Sequence, residues 1–359
     1  MTPRRLRPAV VLTAAALLAL PAVASAGGPV APTVLSVEAN DTPVDAWAGW
    51  IVWSRRGADG AFSMVVRDPA GHGTLMPVPT QMAPFDASIG PNAAGDGPLI
   101  AYSRCTKPTG AFPTGCDVHT VDPRTGAGGT LPAASDPRLD ERLPAVHGGR
   151  IAFSRTLRPG DARRAEVVVA DTTAARAPAR GLRGPTTERR AGRTVRLRVA
   201  LPQGLDFDGR TVAVTWRTVG ARDRSRLLVA PAGGRTTREV AAVASARGTL
   251  AQLGRPALRR SDVVVPRTRT GARSRSDLLR TTLSGRRTWV LDSGFTPAQT
   301  ERLGSAFTAA AWSGADDLVV LRRLANDGRW SCKHPAVQTG GCELLALRSD
   351  RQPWRRVRR

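Results

Sequence analysis

The chain has 359 residues, a formal net charge of +24 and an aromatic content of only 4 %. That length suits one large domain or two ordinary ones. The positive excess reads either as attraction to an anionic partner or as a composition bias rich in Arg, Ala and Gly. The arginines are not interleaved with the stacking aromatics that single-stranded nucleic acid requires, so no nucleic-acid partner is expected.

The first 26 residues read as a signal peptide. Arg4, Arg5 and Arg7 precede an apolar run from Ala9 to Leu20, Pro21 closes it, and Ala24-Ser25-Ala26 has the small-x-small pattern of a cleavage site. The 12-residue run is shorter than the roughly 20 residues a membrane-spanning helix needs. The expected mature chain, residues 27–359, is secreted, carries +21 once the three leader arginines are gone, and has no stable membrane insertion after cleavage. Lys107 and Lys333 are the only lysines, so the remaining basic residues are arginine.

Thr33 to Glu38 reads as an isolated strand. A β-branched or aromatic run then recurs: Ile51-Val52-Trp53-Ser54, Ile100-Ala101-Tyr102-Ser103, Ile151-Ala152-Phe153-Ser154, Val212-Ala213-Val214-Thr215, Val263-Val264-Val265-Pro266 and Leu318-Val319-Val320-Leu321. The starts are 49, 51, 61, 51 and 55 residues apart. A strand-bearing period near 50 is the signature of a propeller or β-solenoid. Before each run lies a strand ending in a turn former, such as Leu143 to Val146 before Gly148-Gly149, or Gly204 to Phe207 before Asp208-Gly209. After it comes a partner strand, such as Phe62 to Arg67, Asp117 to Asp122 or Glu166 to Asp171, and then a weaker fourth strand. The pattern predicts an all-β fold: a single six-bladed β-propeller of four-stranded antiparallel blades over residues 27–359. Seven blades is the alternative, because the 61-residue interval could hide a degenerate unit. Ring closure should use Thr33 to Glu38 or Gln352 to Val357, since closing the ring removes open edges. Trp53, Tyr102 and Phe153 share one repeat position and read as packing residues between blades. Pro297 to Leu303 could form a short helical turn.

The long interval contains Arg180, Arg183, Arg189, Arg190, Arg193, Arg196 and Arg198, with Glu188 the only acid between them. Two readings stay open. One is a long solvated loop kept open by its own repulsion. The other is a local anion site at Arg189, Arg190, Arg193 and Arg196, because guanidinium forks suit phosphate and carboxylate oxygens.

The segments Pro144 to Ser154 and Leu205 to Val214, with Gly-Gly or Asp-Gly followed by Arg and an apolar strand, resemble the repeats of TolB-type, WD40-like (PD40) propellers. The resemblance covers most of the mature chain. It implies the fold, and a fold alone does not give a function.

Cys105 and Cys116 are 11 positions apart, and Cys332 and Cys342 are 10 apart. In an exported chain these read as two local disulfides, Cys105–Cys116 and Cys332–Cys342, each bracketing a loop between two strands of one hairpin. Zinc would need closer cysteine pairs. His72, His119, His147 and His334 are not at metal spacing, so no metal or other cofactor is expected. There is no G-x-S-x-G nucleophile elbow, and Tyr102, the single tyrosine, sits at the core position rather than where a sialidase-type nucleophile would serve. Asn326 to Trp330 reads as an ordinary turn. Asp206 with Asp208, Asp316 with Asp317, and Asp140 with Glu141 read as turn or capping pairs. The expected function is therefore a monomeric, non-enzymatic extracellular binding or scaffold propeller contacting a protein or an anionic cell-surface polymer. The alternative is an exported hydrolase or lyase that uses carboxylates in the central channel.

Overall fold

The computed structural model describes residues 31–107, 113–161, 163–270, 275–292, 306–323 and 341–357. The segment read as a signal peptide, Pro297 to Leu303, Asn326 to Trp330, Cys332 and His334 lie outside them.

The described residues form six antiparallel blades in a ring. Blade I comprises Val44–Trp47, Trp50–Arg56, Phe62–Arg67 and Gly73–Leu75. Blade II comprises Ser88–Pro91, Pro98–Lys107, Thr114–Val121 and Gly128–Thr130. Blade III comprises Glu141–His147, Arg150–Thr156, Ala165–Asp171 and Leu182–Arg183. Blade IV comprises Val199–Phe207, Thr211–Val219, Asp223–Pro231 and Arg238–Ala244. In blade V the inner strand is split into Leu250–Leu253 and Ala257–Arg259, both paired with Asp262–Thr270, followed by Arg275–Thr282 and Thr288–Asp292. Blade VI comprises Ala306–Trp312, Asp317–Arg323 and Cys342–Arg348.

Of the two closures expected, Thr33 to Glu38 closes the ring and Gln352 to Val357 does not. Thr33–Glu38 pairs with Cys342–Arg348 and supplies the fourth strand of blade VI. Arg355–Arg356 goes instead to blade V, where it pairs with Thr288–Asp292 as an added outer strand. The chain start thus completes a blade, and the chain end straps the preceding one.

The recurrent apolar runs are second strands, buried on both faces. In blade I, Ile51 and Trp53 join an apolar cluster with Ala309, Leu321 and Leu344 of blade VI. Val52, between them, faces the other way into a cluster with Phe85, Ile100 and Tyr102 of blade II. The same alternation places one apolar cluster at each of the six interfaces between successive blades. A strand covered on both sides needs a nearly continuous apolar sequence rather than an alternating one. Trp53, Tyr102 and Phe153 are at most 5 % exposed and pack between blades as expected.

The 61-residue interval holds no seventh blade. It holds a two-stranded hairpin, Thr187–Arg190 with Arg193–Arg196, inserted between blades III and IV. The solvated-loop reading is corrected here. Ala191 and Gly192 turn with φ of 45° and 78°, the paired positive values that match the twist of a two-residue hairpin. Leu197, 1 % exposed, pins the base of the hairpin in the core.

Candidate functional site

Antiparallel order gives the ring two unlike faces. Inter-blade connectors and the loops between second and third strands share one, the connector face. The tight turns after first and third strands share the other, the turn face. Inner strands line the central channel between them.

In the channel, one inner-strand position recurs as a stitch to the next blade. Asp45 Oδ2 of blade I accepts the N–H of Ile89 in blade II at 3.0 Å. Ser88 Oγ of blade II accepts the N–H of Val146 in blade III at 3.3 Å. Asp206 Oδ2 of blade IV accepts the N–H of Leu258 in blade V. Each aspartate also accepts the N–H of the residue after it, Ala46 at 2.9 Å and Phe207 at 2.7 Å. Asp45 and Asp206 are therefore the same repeat position three blades apart, on opposite sides of the channel.

Arg255 runs between them. It occupies the break in the inner strand of blade V, and its guanidinium donates to Leu205 O of blade IV at 3.1 Å, to Ala87 O of blade II at 2.6 Å and to Asp45 Oδ2 of blade I at 3.1 Å. Blades II and V face each other across a six-membered ring, so this side chain crosses the axis. Its backbone passes so close to Gly204 that a Cβ there would lie 2.5 Å from Arg255 Cα. Burial, and then the Asp45 carboxylate, raise the Asp206 carboxyl above the usual range; Arg255 and the two N–H donors oppose them. Asp86 is occupied as well, by Ser103 N at 2.8 Å and Leu143 N at 2.7 Å. Asp206 does not face Asp208, its expected sequence partner, whose Oδ1 instead caps the turn through Arg210 N and Thr211 N. These carboxylates hold strands together, and they are already supplied with donors.

Glu141, at the start of the inner strand of blade III, is different. It is 1 % exposed, and its Oε2 has no hydrogen-bond partner. Burial pushes its carboxyl up to about 8; Asp117 and Asp136 add to the rise, while the backbone N–H of Asp136 and Arg155 oppose it. Among the described residues no three of His, Cys, Asp and Glu converge closely enough to hold a metal ion.

The connector face carries the arginine hairpin. Register puts Thr187, Arg189, Thr194 and Arg196 on one of its sides, and Glu188, Arg193 and Val195 on the other. The sequence candidates Arg189 and Arg196 thus share one side of the ribbon and Arg193 lies on the other, all three exposed; the fourth, Arg190, belongs to the same ribbon. Glu188 anchors the ribbon to blade IV: it is 8 % exposed and accepts from Arg226 at 2.9 Å and Arg224 at 3.3 Å. Arg164 of blade III closes the base by donating to Leu197 O. A cleft of about 280 Å³ lies beside the hairpin, lined by Glu188, Arg189, Arg222, Arg224 and Ala244. Sequence reasoning missed Arg222, Arg224 and Arg226. Their signal was alternation, since residues two apart on a strand share a face. Cys105 and Cys116 are bonded on the same face, directly opposed across the second and third strands of blade II. Cys342 begins the third strand of blade VI, but its expected partner Cys332 lies outside the described residues.

No family model and no curated protein matches the sequence. Among solved structures, the fold is similar to the fungal lectin from Aleuria aurantia, described as a six-bladed β-propeller with a fucose recognition mode. That match has 12 % identity and a TM-score of 0.50, and covers 88 % of this chain and 98 % of the lectin. TolB from Acinetobacter baumannii matches at 13 % identity and a TM-score of 0.45 over 86 % of this chain, which spans 66 % of that protein. A puromycin hydrolase matches at 15 % identity and a TM-score of 0.45 over 81 % of this chain, which spans about half of it (51 %). Likeness at such identities is one of fold, here the six-bladed β-propeller.

Proposed function

We propose that the protein is a non-catalytic, exported binding propeller that holds an anionic polymer against its connector face. The observation that carries this reading is the hairpin at 187–196, which a single buried glutamate fixes to blade IV while Arg189, Arg193 and Arg196 stay exposed. The net charge supplies long-range attraction, and the fixed ribbon supplies a local site of guanidinium forks. The occupied channel carboxylates favour binding over hydrolysis or elimination. The Cys105–Cys116 bond is compatible with a location outside the cytoplasm.

The test is salt elution from a phosphate-bearing matrix. Arg189, Arg190, Arg193 and Arg196 are replaced together by Gln and compared with a variant that loses the same charge on the turn face, at Arg235, Arg260, Arg286 and Arg287. Exposed charges act over about 8 Å at physiological salt, so the hairpin variant should elute at clearly lower salt than the control. Equal elution of the two variants overturns the local site. Retention that resists high salt overturns the electrostatic mode of binding.

A further inference from the structure

On the turn face the third and fourth strands of blade IV part early. The strand Asp223–Pro231 pairs with Arg238–Ala244 only as far as Val229 opposite Arg238. Ala230 and Pro231 keep their partners Val212 and Thr211 on one side and have no strand neighbour on the other. The gap is a cleft of about 370 Å³ between blades IV and V. Its buried lining is apolar, made by Val229 and Ala230, with Leu283 of blade V half-buried and Pro231 exposed beside them. Its rim is polar and cationic, with Arg210, Arg238, Thr236 and Thr237.

Among the described residues no carboxylate lines this cleft, in contrast to the cleft that contains Glu188. Asp208, on the adjoining turn, is engaged by the N–H groups of Arg210 at 2.9 Å and Thr211 at 2.7 Å. Glu239, next to Arg238 in sequence, points to the opposite side of its strand and pairs with Arg226 at 3.2 Å. Of the other arginines of the turn face, Arg259 meets Asp316, Arg280 meets Asp262 and Arg348 meets Asp350, whereas Arg235, Arg260, Arg286 and Arg287 meet no acid among the described residues but do not border this cavity. Arg210 and Arg238 have no carboxylate partner among the described residues, and both border the same small cavity.

We infer that this interblade cleft binds a small hydroxylated carboxylate, of the size of one sugar-acid unit. The two guanidiniums supply charge-assisted donors for the carboxylate. The threonine hydroxyls, each both donor and acceptor, match the ligand's hydroxyl groups. The apolar lining takes its C–H face. The volume is at the small end of the range for small-molecule sites, about 300–1,000 Å³. The site lies on the face opposite the arginine hairpin and is independent of the polymer reading.

The test uses D-glucuronate, D-glucose and propionate as probes, with binding followed by calorimetry and by chemical-shift changes on the full mature chain. Glucuronate should bind at least about tenfold more tightly than either glucose or propionate, because each of these lacks one half of the recognition. Arg210→Gln with Arg238→Gln should abolish the preference over glucose. Thr236→Val with Thr237→Val should abolish the preference over propionate. All four residues are on the rim, so melting temperatures should stay unchanged and report intact folding. The hairpin variant of the preceding section should bind glucuronate normally. Wild-type protein that does not bind glucuronate, binding unaffected by the double arginine substitution, or binding lost in the hairpin variant would each overturn the assignment.

Discussion

Glu38 Oε1 accepts the indole N–H of Trp53 at 2.8 Å, and the two residues belong to different blades. Glu38 ends the strand that completes blade VI, and Trp53 lies in the second strand of blade I. The same carboxylate takes Arg55 Nη2 at 2.9 Å, Arg55 Nε at 3.2 Å and Ser36 Oγ at 2.7 Å, and it is only 3 % exposed. A residue near the chain start thus clasps the ring shut with side-chain bonds as well as strand pairing. Glu38→Ala should cost about 1–3 kcal/mol, because it leaves the buried indole N–H without its acceptor, while the half-exposed Arg55 guanidinium turns to water. Urea denaturation is the measurement, and a midpoint within error of wild type would refute the clasp.

Arg255 should behave as a second fastener, at the axis. Arg255→Met keeps much of the volume, but it strips the counter-charge from Asp45 and the donors from Leu205 O and Ala87 O. The expected loss is about 3–5 kcal/mol. Gly204→Ala should also destabilise, by about 1–3 kcal/mol, since the new methyl would sit 2.5 Å from Arg255 Cα and the backbone would have to move. The backbone shift forced by Gly204→Ala would displace the Arg255 side chain from the same acceptors that Arg255→Met abandons, so the two effects should not add in the double variant. Strict additivity would show that the residues act separately.

The blades were legible in the sequence because double-sided burial writes a near-continuous apolar run at every turn of the ring, from Ile51 to Leu321. The hairpin turns were legible where Gly148-Gly149 and Asp208-Gly209 demanded positive φ. The closure by Thr33 to Glu38 was half legible: the strand could be seen, but not the blade it joins. The hairpin at 187–196 was not. Seven arginines suggested repulsion, and the residues that pair with Glu188 lie 36 and 38 positions away in another blade. The channel was hidden for a related reason. Asp45 and Asp206 share a repeat position only once the inner-strand register is known, and nothing next to Arg255 in sequence marks it as a side chain that crosses the axis.

The Cys105–Cys116 bond joins strands already paired from Ile100 to Lys107, so it should stabilise the propeller without being needed to form it. Replacing both cysteines by Ser should cost about 2–3 kcal/mol for a bridge over so short a loop. The far-ultraviolet circular dichroism spectrum should remain that of the wild type. A double variant that fails to fold would show that the bridge defines the blade. Peptide mapping without reductant should recover Cys332 bonded to Cys342, and a free thiol at either would refute that pairing.

Glu141 should give the protein a pH-dependent stability. Its folded-state carboxyl titrates near 8, against an ordinary value of 4.5. An acid raised in this way binds more protons folded than unfolded between those two values, so stability falls as the pH rises from about 4.5 to about 8. The raised carboxyl of Asp206 acts in the same direction. Glu141→Gln keeps the shape of the side chain and removes the charge that burial penalises. The variant should match wild type near pH 4.5, where Glu141 is still protonated in the folded chain. At pH 8 it should exceed wild type by about 1–3 kcal/mol, a range reduced from the full shift for residual solvent screening. Urea midpoints at pH 5 and pH 8 for both proteins measure this directly. The slope left in the variant reports Asp206 and the remaining groups. Identical pH slopes for the two proteins would show that the Glu141 carboxyl is solvated, and that its unpartnered oxygen reaches water.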